Sequence, residues 1–148
     1  MGLIHSYKIK WFEQDNPNIS YPDFNTLDYE KYFQLRLDLN QKLYIDDIDH
    51  DLFISTLENY LSKIDCDIES KNFSLNDLLI SQKVKGSEKV YLYWFDETID
   101  EMSLNDVDQY FLDIWYNGAD DIVLFDKNFS FFVRIYSDAK IAIAKFSS

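Results

Sequence analysis

One stretch decides the fold class: Ile122-Val-Leu-Phe-Asp-Lys-Asn-Phe-Ser-Phe-Phe-Val-Arg-Ile-Tyr-Ser-Asp-Ala-Lys-Ile-Ala-Ile-Ala-Lys-Phe146. It contains three runs rich in β-branched and aromatic residues, namely Ile122–Asp126, Phe129–Tyr136 and Lys140–Phe146. Turn-forming residues separate the runs, with Lys127-Asn128 at the first break and Ser137-Asp138 at the second. Short runs of this kind between turn residues are typical of antiparallel strands. The stretch therefore predicts a three-stranded C-terminal meander.

A fourth strand is predicted upstream, at Glu88–Phe95. Its alternate residues are apolar on both sides: Val90, Leu92 and Trp94 on one, Tyr91, Tyr93 and Phe95 on the other. A strand that is apolar on both faces is usually covered on both faces. We therefore expect either an interior strand or a strand with one face kept for a partner.

The tetrapeptide Ser-Leu-Asn-Asp occurs twice, at Ser74–Asp77 and Ser103–Asp106. A serine hydroxyl can accept a hydrogen bond from the third following backbone N–H, and an acid in the first turn suits the helix dipole. Both copies therefore predict helix starts. We expect the first helix to run to about Gln82 and the second to about Tyr116, where Asn117-Gly118 is a stop signal.

The N-terminal half gives weaker signals. Tyr7–Phe12 has strand-like composition, and residues 13–26 hold both prolines, which predicts a surface loop. A helix is expected from Asp49 or Asp51 to about Lys63, because its apolar residues recur at spacings of three and four.

Tyr32–Ile48 can be interpreted in two ways. Apolar and polar residues alternate from Phe33 to Leu39, and this period of two indicates a β-hairpin that turns at Asn40-Gln41. The competing interpretation is a helix from Thr26 to Asn40.

Together these elements predict one α+β domain that spans residues 1–148. It would have a mainly antiparallel sheet of about five or six strands, with two or three helices packed on one face. A length of 148 residues suits one domain, and 47% hydrophobic residues argue against intrinsic disorder.

The net charge of the chain limits the classes of partner that are expected. A formal net charge of −13 argues against direct binding to nucleic acid or to an anionic membrane, since both need a basic surface. It favours a basic protein partner, although acidity that only maintains solubility is the alternative. No apolar run is long enough for a membrane span, and the N-terminus lacks the apolar region of a signal peptide, so the cytosol is the expected compartment.

The sequence holds no recognisable catalytic, cofactor or metal motif. The run Asp46-Asp47-Ile48-Asp49-His50-Asp51 could bind a divalent cation, but it lacks the glycine and the distal glutamate of a calcium loop. An acid-rich helix start explains the run without a metal. The lone Cys66 has aspartates on both sides, which raise the pKa of a thiol and disfavour a nucleophile. We therefore expect no enzymatic activity and no cofactor.

The segment from Val90 to Phe125 carries nine acidic residues, no Lys or Arg, and several aromatic residues. Phe111, Ile114 and Trp115 are expected to form the core stripe of the predicted helix, but folding alone does not explain the acids near Asp96–Met102. A loop of carboxylates beside aromatic anchors suits a cationic partner. The predicted partner-binding residues are Asp96, Glu97, Asp100, Glu101, Asp120, Asp121, Trp94 and Tyr116.

The run from Tyr110 to Asp126, Tyr-Phe-Leu-Asp-Ile-Trp-Tyr-Asn-Gly-Ala-Asp-Asp-Ile-Val-Leu-Phe-Asp, followed by Phe129-Ser-Phe-Phe-Val-Arg-Ile-Tyr, resembles the ending of small bacterial immunity proteins. These proteins accompany contact-dependent growth inhibition toxins and other polymorphic toxins. The resemblance covers about a third of the chain. It implies a non-enzymatic antitoxin that binds and blocks a cognate toxin, commonly a basic nuclease, and it assigns no individual contact residues.

Two other functions remain open at this point. An acidic DNA mimic of the anti-restriction type would need carboxylates spaced like phosphates along one face. A small metal-binding protein would use Asp46, Asp49, His50 and Asp51. The sequence predicts no oligomeric state.

Overall fold

A computed structural model of the protein describes residues 6–146. Its strands form one antiparallel sheet in the order β1-β4-β3-β5-β6-β7-β2. The strands are β1 Phe24–Thr26, β2 Ser62–Ile64, β3 Lys89–Trp94, β4 Ile99–Ser103, β5 Ile122–Phe125, β6 Phe131–Ile135 and β7 Ile141–Lys145. The helices are α1 Ser6–Asp15, α2 Tyr29–Leu43, α3 His50–Glu58, α4 Leu75–Ser81, α5 Leu104–Gln109 and α6 Phe111–Ile114. The α+β class is confirmed, with more strands and helices than the sequence predicts.

The predicted C-terminal meander is confirmed. In β5, β6 and β7, Leu124 pairs with Val133 and Val133 pairs with Ile143. Every residue of β5 and β6 is buried, so these strands form the centre of the core. The prediction that β3 is an interior strand is also confirmed, because β3 pairs with β4 on one side and β5 on the other.

Helices cover both faces of the sheet, so the prediction that they pack on one face is wrong. Buried side chains of α1, α4, α5 and α6 share one core cluster with one face. Buried side chains of α2 and α3 share a second cluster with the opposite face. The reason is visible in β5 and β6, whose two apolar faces both need to be removed from water.

The predicted helix starts are confirmed. The side chains of Asp49, Ser74 and Ser103 accept hydrogen bonds from the backbone N–H groups of Leu52, Asp77 and Asp106. The predicted ends are less accurate. The second Ser-Leu-Asn-Asp helix breaks at Tyr110 into α5 and α6, and α3 ends at Glu58 because residues 62–64 pair with β7 as β2.

The N-terminal predictions need correction. Residues 7–12 lie in α1 and form no strand, while the predicted loop at 13–26 contains the end of α1 and all of β1. The hairpin prediction for residues 32–48 is wrong, and the helical alternative describes the region better, since α2 starts after an N-cap at Asp28. Leu35, Leu39 and Leu43 are buried at a spacing of four, whereas Phe33 and Leu37 are each 42% exposed.

Candidate functional site

Two of the predicted binding segments meet at one end of the sheet. Trp94 pairs with Ile122 in the β3–β5 register, so the residues that follow Trp94 lie beside those that precede Ile122. We call this region, formed by residues 95–98 and 116–121, the acidic end. Asp96 and Glu97 lie in the tight turn between β3 and β4, where Glu97 has φ of 68° and Trp94 N donates to Thr98 O. Asp96 and Glu97 are exposed.

Trp94 and Asp100, both predicted to face a partner, lie in the interior. Each is 1% exposed. Trp94 Nε1 donates to Asp100 Oδ2 at 2.7 Å, and the Thr26 hydroxyl donates to the other carboxylate oxygen. Residues 99–103 form strand β4, so the predicted loop of carboxylates at 96–102 is wrong for residues 99–102 and is limited to the turn at 95–98. The alternation of the strand turns Asp100 inward, so we remove Trp94 and Asp100 from the candidate surface.

Asp120 is also held inside the protein, at 5% exposure. Lys8 Nζ donates to Asp120 Oδ2 at 2.7 Å and to Ile114 O at 2.8 Å. Tyr116 N donates to the same carboxylate oxygen at 2.8 Å. Burial lowers the pKa of Lys8, and the bond to Asp120 opposes that shift. Asp120 therefore anchors α1 to the sheet and does not face a partner.

Glu101 lies on the opposite face of β4 from Asp100. It is partly buried beside a groove of about 280 Å³ between α2 and the sheet, which Tyr91 and Lys31 also line. Lys89 Nζ lies 3.9 Å from Glu101 Oε1. The structure therefore does not bring Glu101 together with the acidic end.

Asp121 belongs to the acidic end, but part of its charge is neutralised. Arg134 NH1 donates to Asp121 Oδ1 at 3.1 Å, and Arg134 Nε lies 3.7 Å from Glu58 Oε1. The guanidinium carbon lies 4.4 Å from the centre of the Phe95 ring and 4.0 Å from that of Tyr136. The buried Arg134 thus interacts with two acids, the half-exposed Asp121 and the exposed Glu58. Two negative charges against one positive charge leave this part of the surface net negative.

Three aromatic side chains, of which only Tyr116 was predicted to bind a partner, meet in this region. Tyr7 and Trp11 of α1 contact Tyr116, with ring centres 5.9 Å and 6.0 Å apart, and contact each other at 5.3 Å. We call Tyr7, Trp11 and Tyr116 the aromatic triad; Trp11 is 51% exposed. The spacing of four between Tyr7 and Trp11, matched by the buried Lys8 and Phe12, is a helical pattern that would have indicated it.

Carboxylates set the electrostatic field around the aromatic triad. Burial raises the pKa of Tyr116, and the negative charge of Asp113 raises it further. Burial also raises the pKa of Asp113 itself, with the charge of Asp15 adding to the shift. Lys8 Nζ lies 5.0 Å from the centre of the Tyr116 ring, and Asp96 acts on the same ammonium group. The triad is thus a partly exposed aromatic surface in a negative field, with Trp11 its most exposed member.

The cluster at residues 46–51 has structural roles. Asp49 caps α3, Asp47 O accepts a hydrogen bond from Asn40 Nδ2, and His50 Nδ1 lies 2.6 Å from the Tyr93 hydroxyl. Within residues 6–146, no group of three or more His, Cys, Asp or Glu side chains is placed to hold a metal ion. Cys66 is an exposed residue. Partial burial of its thiol raises the thiol pKa, and the negative charges of Asp65 and Asp67 raise it further.

The comparisons with known proteins found no match. No family model matches the chain, and neither the curated proteins nor the solved structures contain a significant relative. Across the described residues, no helix has both the length and the apolar character needed to cross a membrane.

Proposed function

We propose that this protein is an immunity protein that binds a basic toxin domain and blocks it by occlusion, in the cytosol of the cell that makes the toxin. The observation that carries the proposal is the exposed aromatic triad beside the carboxylates of the acidic end. Trp11 supplies an exposed indole, and Asp96 and Glu97 supply exposed charge at the same end of the sheet. The revised binding surface is therefore Tyr7, Trp11, Asp96, Glu97, Tyr116 and Asp121.

Each part of this surface has a distinct role in binding. Trp and Tyr side chains are the commonest energetic centres of protein interfaces, because they bury a large area and lose little entropy. Carboxylates at the rim steer a basic partner into position and raise the association rate. The net charge of −13 extends this attraction over the whole molecule.

A nuclease is the toxin class that fits best. A nuclease needs a basic surface to hold the phosphate backbone of its nucleic-acid substrate, and an acidic inhibitor can cover that surface. The resemblance of residues 110–136 to the ending of immunity proteins supports the same proposal.

The distribution of acids counts against a DNA mimic. Such a protein needs its carboxylates along one extended face, spaced like phosphates. Exposed acids here lie on or beside elements of both helical layers and at both ends of the sheet. Examples are Asp15, Glu30, Asp51, Asp67, Asp77, Glu88, Asp96 and Asp138.

The direct test is a titration against the toxin domain encoded next to this gene. We expect a one-to-one complex that co-purifies and that abolishes the nuclease activity of the toxin at equimolar concentration. A neighbouring toxin that is neither bound nor inhibited would refute the proposal.

Replacement of the central aromatic residue tests the surface. Trp11→Ala should weaken binding by at least about thirtyfold, which corresponds to the roughly 2 kcal/mol typical of an energetic centre. Tyr29→Ala is the matched control, because Tyr29 is an exposed aromatic residue on the opposite helical layer. Calorimetric titration of the toxin with each variant measures both affinities. An equal loss of affinity in Trp11→Ala and Tyr29→Ala would show that the aromatic triad is not the binding surface.

Charge neutralisation tests the steering. Asp96→Asn combined with Glu97→Gln should lower the association rate constant by about threefold or more at low salt and reduce its salt dependence. Asp46→Asn combined with Asp47→Asn removes the same charge from two exposed acids in the α2–α3 loop. Stopped-flow rates that fall more for the Asp46/Asp47 variant would move the binding surface to that loop.

A further inference from the structure

A basic groove lies at the end of the sheet opposite the acidic end. It has a volume of about 590 Å³, and its polar lining consists of Lys42, Lys83, Lys85, Asn128, Ser130 and Lys145. These residues come from the last turn of α2, the loop between α4 and β3, the β5–β6 turn and the end of β7. Four separate parts of the chain thus bring lysines or hydrogen-bonding groups to one concave surface.

The charge of this groove runs against that of the whole chain. The sequence holds 27 acidic and 14 basic residues, yet no carboxylate side chain of residues 6–146 lines the groove. Within residues 6–146, none of its four lysines forms an ion pair. Lys145 Nζ donates to Gln82 O at 3.2 Å, and Lys42 Nζ lies 5.3 Å from the centre of the Phe146 ring. The lysines therefore keep most of their positive charge available to a ligand.

Hydrogen bonds fix the walls of the groove. Lys83 has φ of 60°, and the N–H groups of Lys83 and Val84 donate to Ile80 O and Leu79 O, which ties the lysine loop to α4. On the other wall, Asp126 is fully buried and accepts hydrogen bonds from the Ser87 hydroxyl and from both N–H and hydroxyl of Ser130. These bonds satisfy the Asp126 carboxylate and hold the turn that presents Asn128.

We infer that this groove binds a small anion that carries several phosphate groups and has about the size of a nucleotide. Its volume falls within the roughly 300–1,000 Å³ of small-molecule sites. Lysine is a common phosphate ligand, because its ammonium group is a compact point charge that can approach phosphate oxygens from several directions. Four ammonium groups that form no ion pair within residues 6–146 match an oligophosphate better than a single phosphate, since each can neutralise a separate oxygen.

This site is independent of the proposed inhibition. It lies at the opposite end of the strands from the aromatic triad, so a ligand here and a toxin at the acidic end can bind together. Failure of either proposal leaves the other intact.

The test is a calorimetric titration of the full chain with two probes, inorganic tripolyphosphate and ATP, in about 0.15 M salt, where surface attraction is screened within roughly 8 Å. We expect saturable one-site binding of at least one probe. Binding of ATP alone would identify a nucleotide as the ligand, and equal binding of both would identify the phosphate chain as the recognised group.

Lys83→Gln combined with Lys85→Gln should weaken binding by at least about tenfold, or roughly 1.4 kcal/mol.

Lys63→Gln combined with Lys140→Gln is the matched control, because it removes the same charge from two exposed lysines near β2 and the start of β7. This control should keep its affinity within about twofold, since the mutated lysines lie outside the groove. Equal weakening in the two double variants would overturn the inference, as would no binding of either probe at about 5 mM, a concentration that detects even millimolar affinity. Binding of a single-stranded RNA oligomer but of neither small probe would overturn it in favour of a nucleic-acid surface.

Discussion

Lys8 and Asp120 form an ion pair that lies almost wholly out of water, at 0% and 5% exposure. Removing two charges from water is costly, and only good geometry with further hydrogen bonds offsets that cost. Here Ile114 O and Tyr116 N supply those hydrogen bonds, and the Trp94 ring, whose centre is 4.3 Å from Lys8 Nζ, covers the ammonium group. The pair therefore joins α1 to the sheet at the position where the aromatic triad forms.

The stability effects of replacing the two members of this pair should be coupled. We expect Lys8→Met to lower the free energy of unfolding by about 3–5 kcal/mol, because it leaves the Asp120 carboxylate buried without a cation. Lys8→Met combined with Asp120→Asn should lose less than the sum of the two single variants. Urea unfolding of all four proteins measures this coupling, and strictly additive losses would show that the pair does not act as a unit.

At the scale of elements, α4 is capped from outside as well as from within. Its own N-cap Ser74 accepts from Asp77 N, while Asp108 of α5 accepts from Leu75 N at 2.6 Å and from the Ser74 hydroxyl at 3.1 Å. One aspartate near the end of α5 thus ties the start of α4 to α5.

Replacement of Asp108, which accepts from a backbone N–H at the start of α4, should lower the free energy of unfolding more than replacement of an acid that only interacts with the helix dipole. We expect Asp108→Ala to lower the free energy of unfolding by about 1–2 kcal/mol, because it leaves a helix N–H without its acceptor. Asp77→Ala, in the exposed first turn of the same helix, should cost no more than about 0.3–1 kcal/mol. Thermal or urea unfolding of the two variants would contradict this account if Asp77→Ala were the more destabilising.

Local chemistry explains which elements the sequence predicts. The meander and the serine caps depend on neighbouring residues, and all of them were predicted. The hairpin prediction for residues 32–48 is wrong because the exposed Phe33 and Leu37 add apolar residues that complete an alternating pattern. In the structure, Leu35, Leu39 and Leu43 pack into the core at helical spacing. Of the residues named for the candidate site, Asp96 and Glu97 are exposed and Tyr116 is half-buried. Composition cannot show that strand alternation turns Asp100 inward or that Lys8 holds Asp120 inside the protein.

At the scale of the whole molecule, the protein carries one local basic surface on an otherwise acidic exterior. The acidic end and the basic groove lie at opposite ends of the central strands, although the chain is acidic overall. The sheet therefore separates two surfaces with opposite preferences for a partner.

Tyrosine burial predicts alkaline sensitivity. Burial is the first cause that raises the pKa of six tyrosines above the ordinary 10.0, and for Tyr136 the value is about 12. A raised folded-state pKa contributes stability that is present below pH 10 and is lost as pH rises through the folded-state pKa. The lowered pKa of Lys8 acts in the opposite direction, but it is one group against six. The other affected tyrosines are Tyr7, Tyr21, Tyr91, Tyr93 and Tyr116.

We therefore expect the Tm to be nearly constant between about pH 7 and pH 9 and to fall steadily above about pH 10, where unfolded tyrosines ionise first. Calorimetric scans, with tyrosinate absorbance followed on the same samples, measure both quantities. A Tm that stays constant to about pH 11.5 would contradict the burial of these hydroxyl groups.

The two edge strands of the sheet are its shortest. β1 and β2 have three residues each. Asp23 and Asp28 lie near β1, Lys63 is the central residue of β2, and Asp65 directly follows β2. A long, flat edge invites a strand from another molecule to add to the sheet, whereas a short and charged edge gives it few hydrogen bonds and repels it. The apolar meander is thus enclosed between two poor templates, and this arrangement disfavours edge-to-edge aggregation of a chain so rich in β-forming residues.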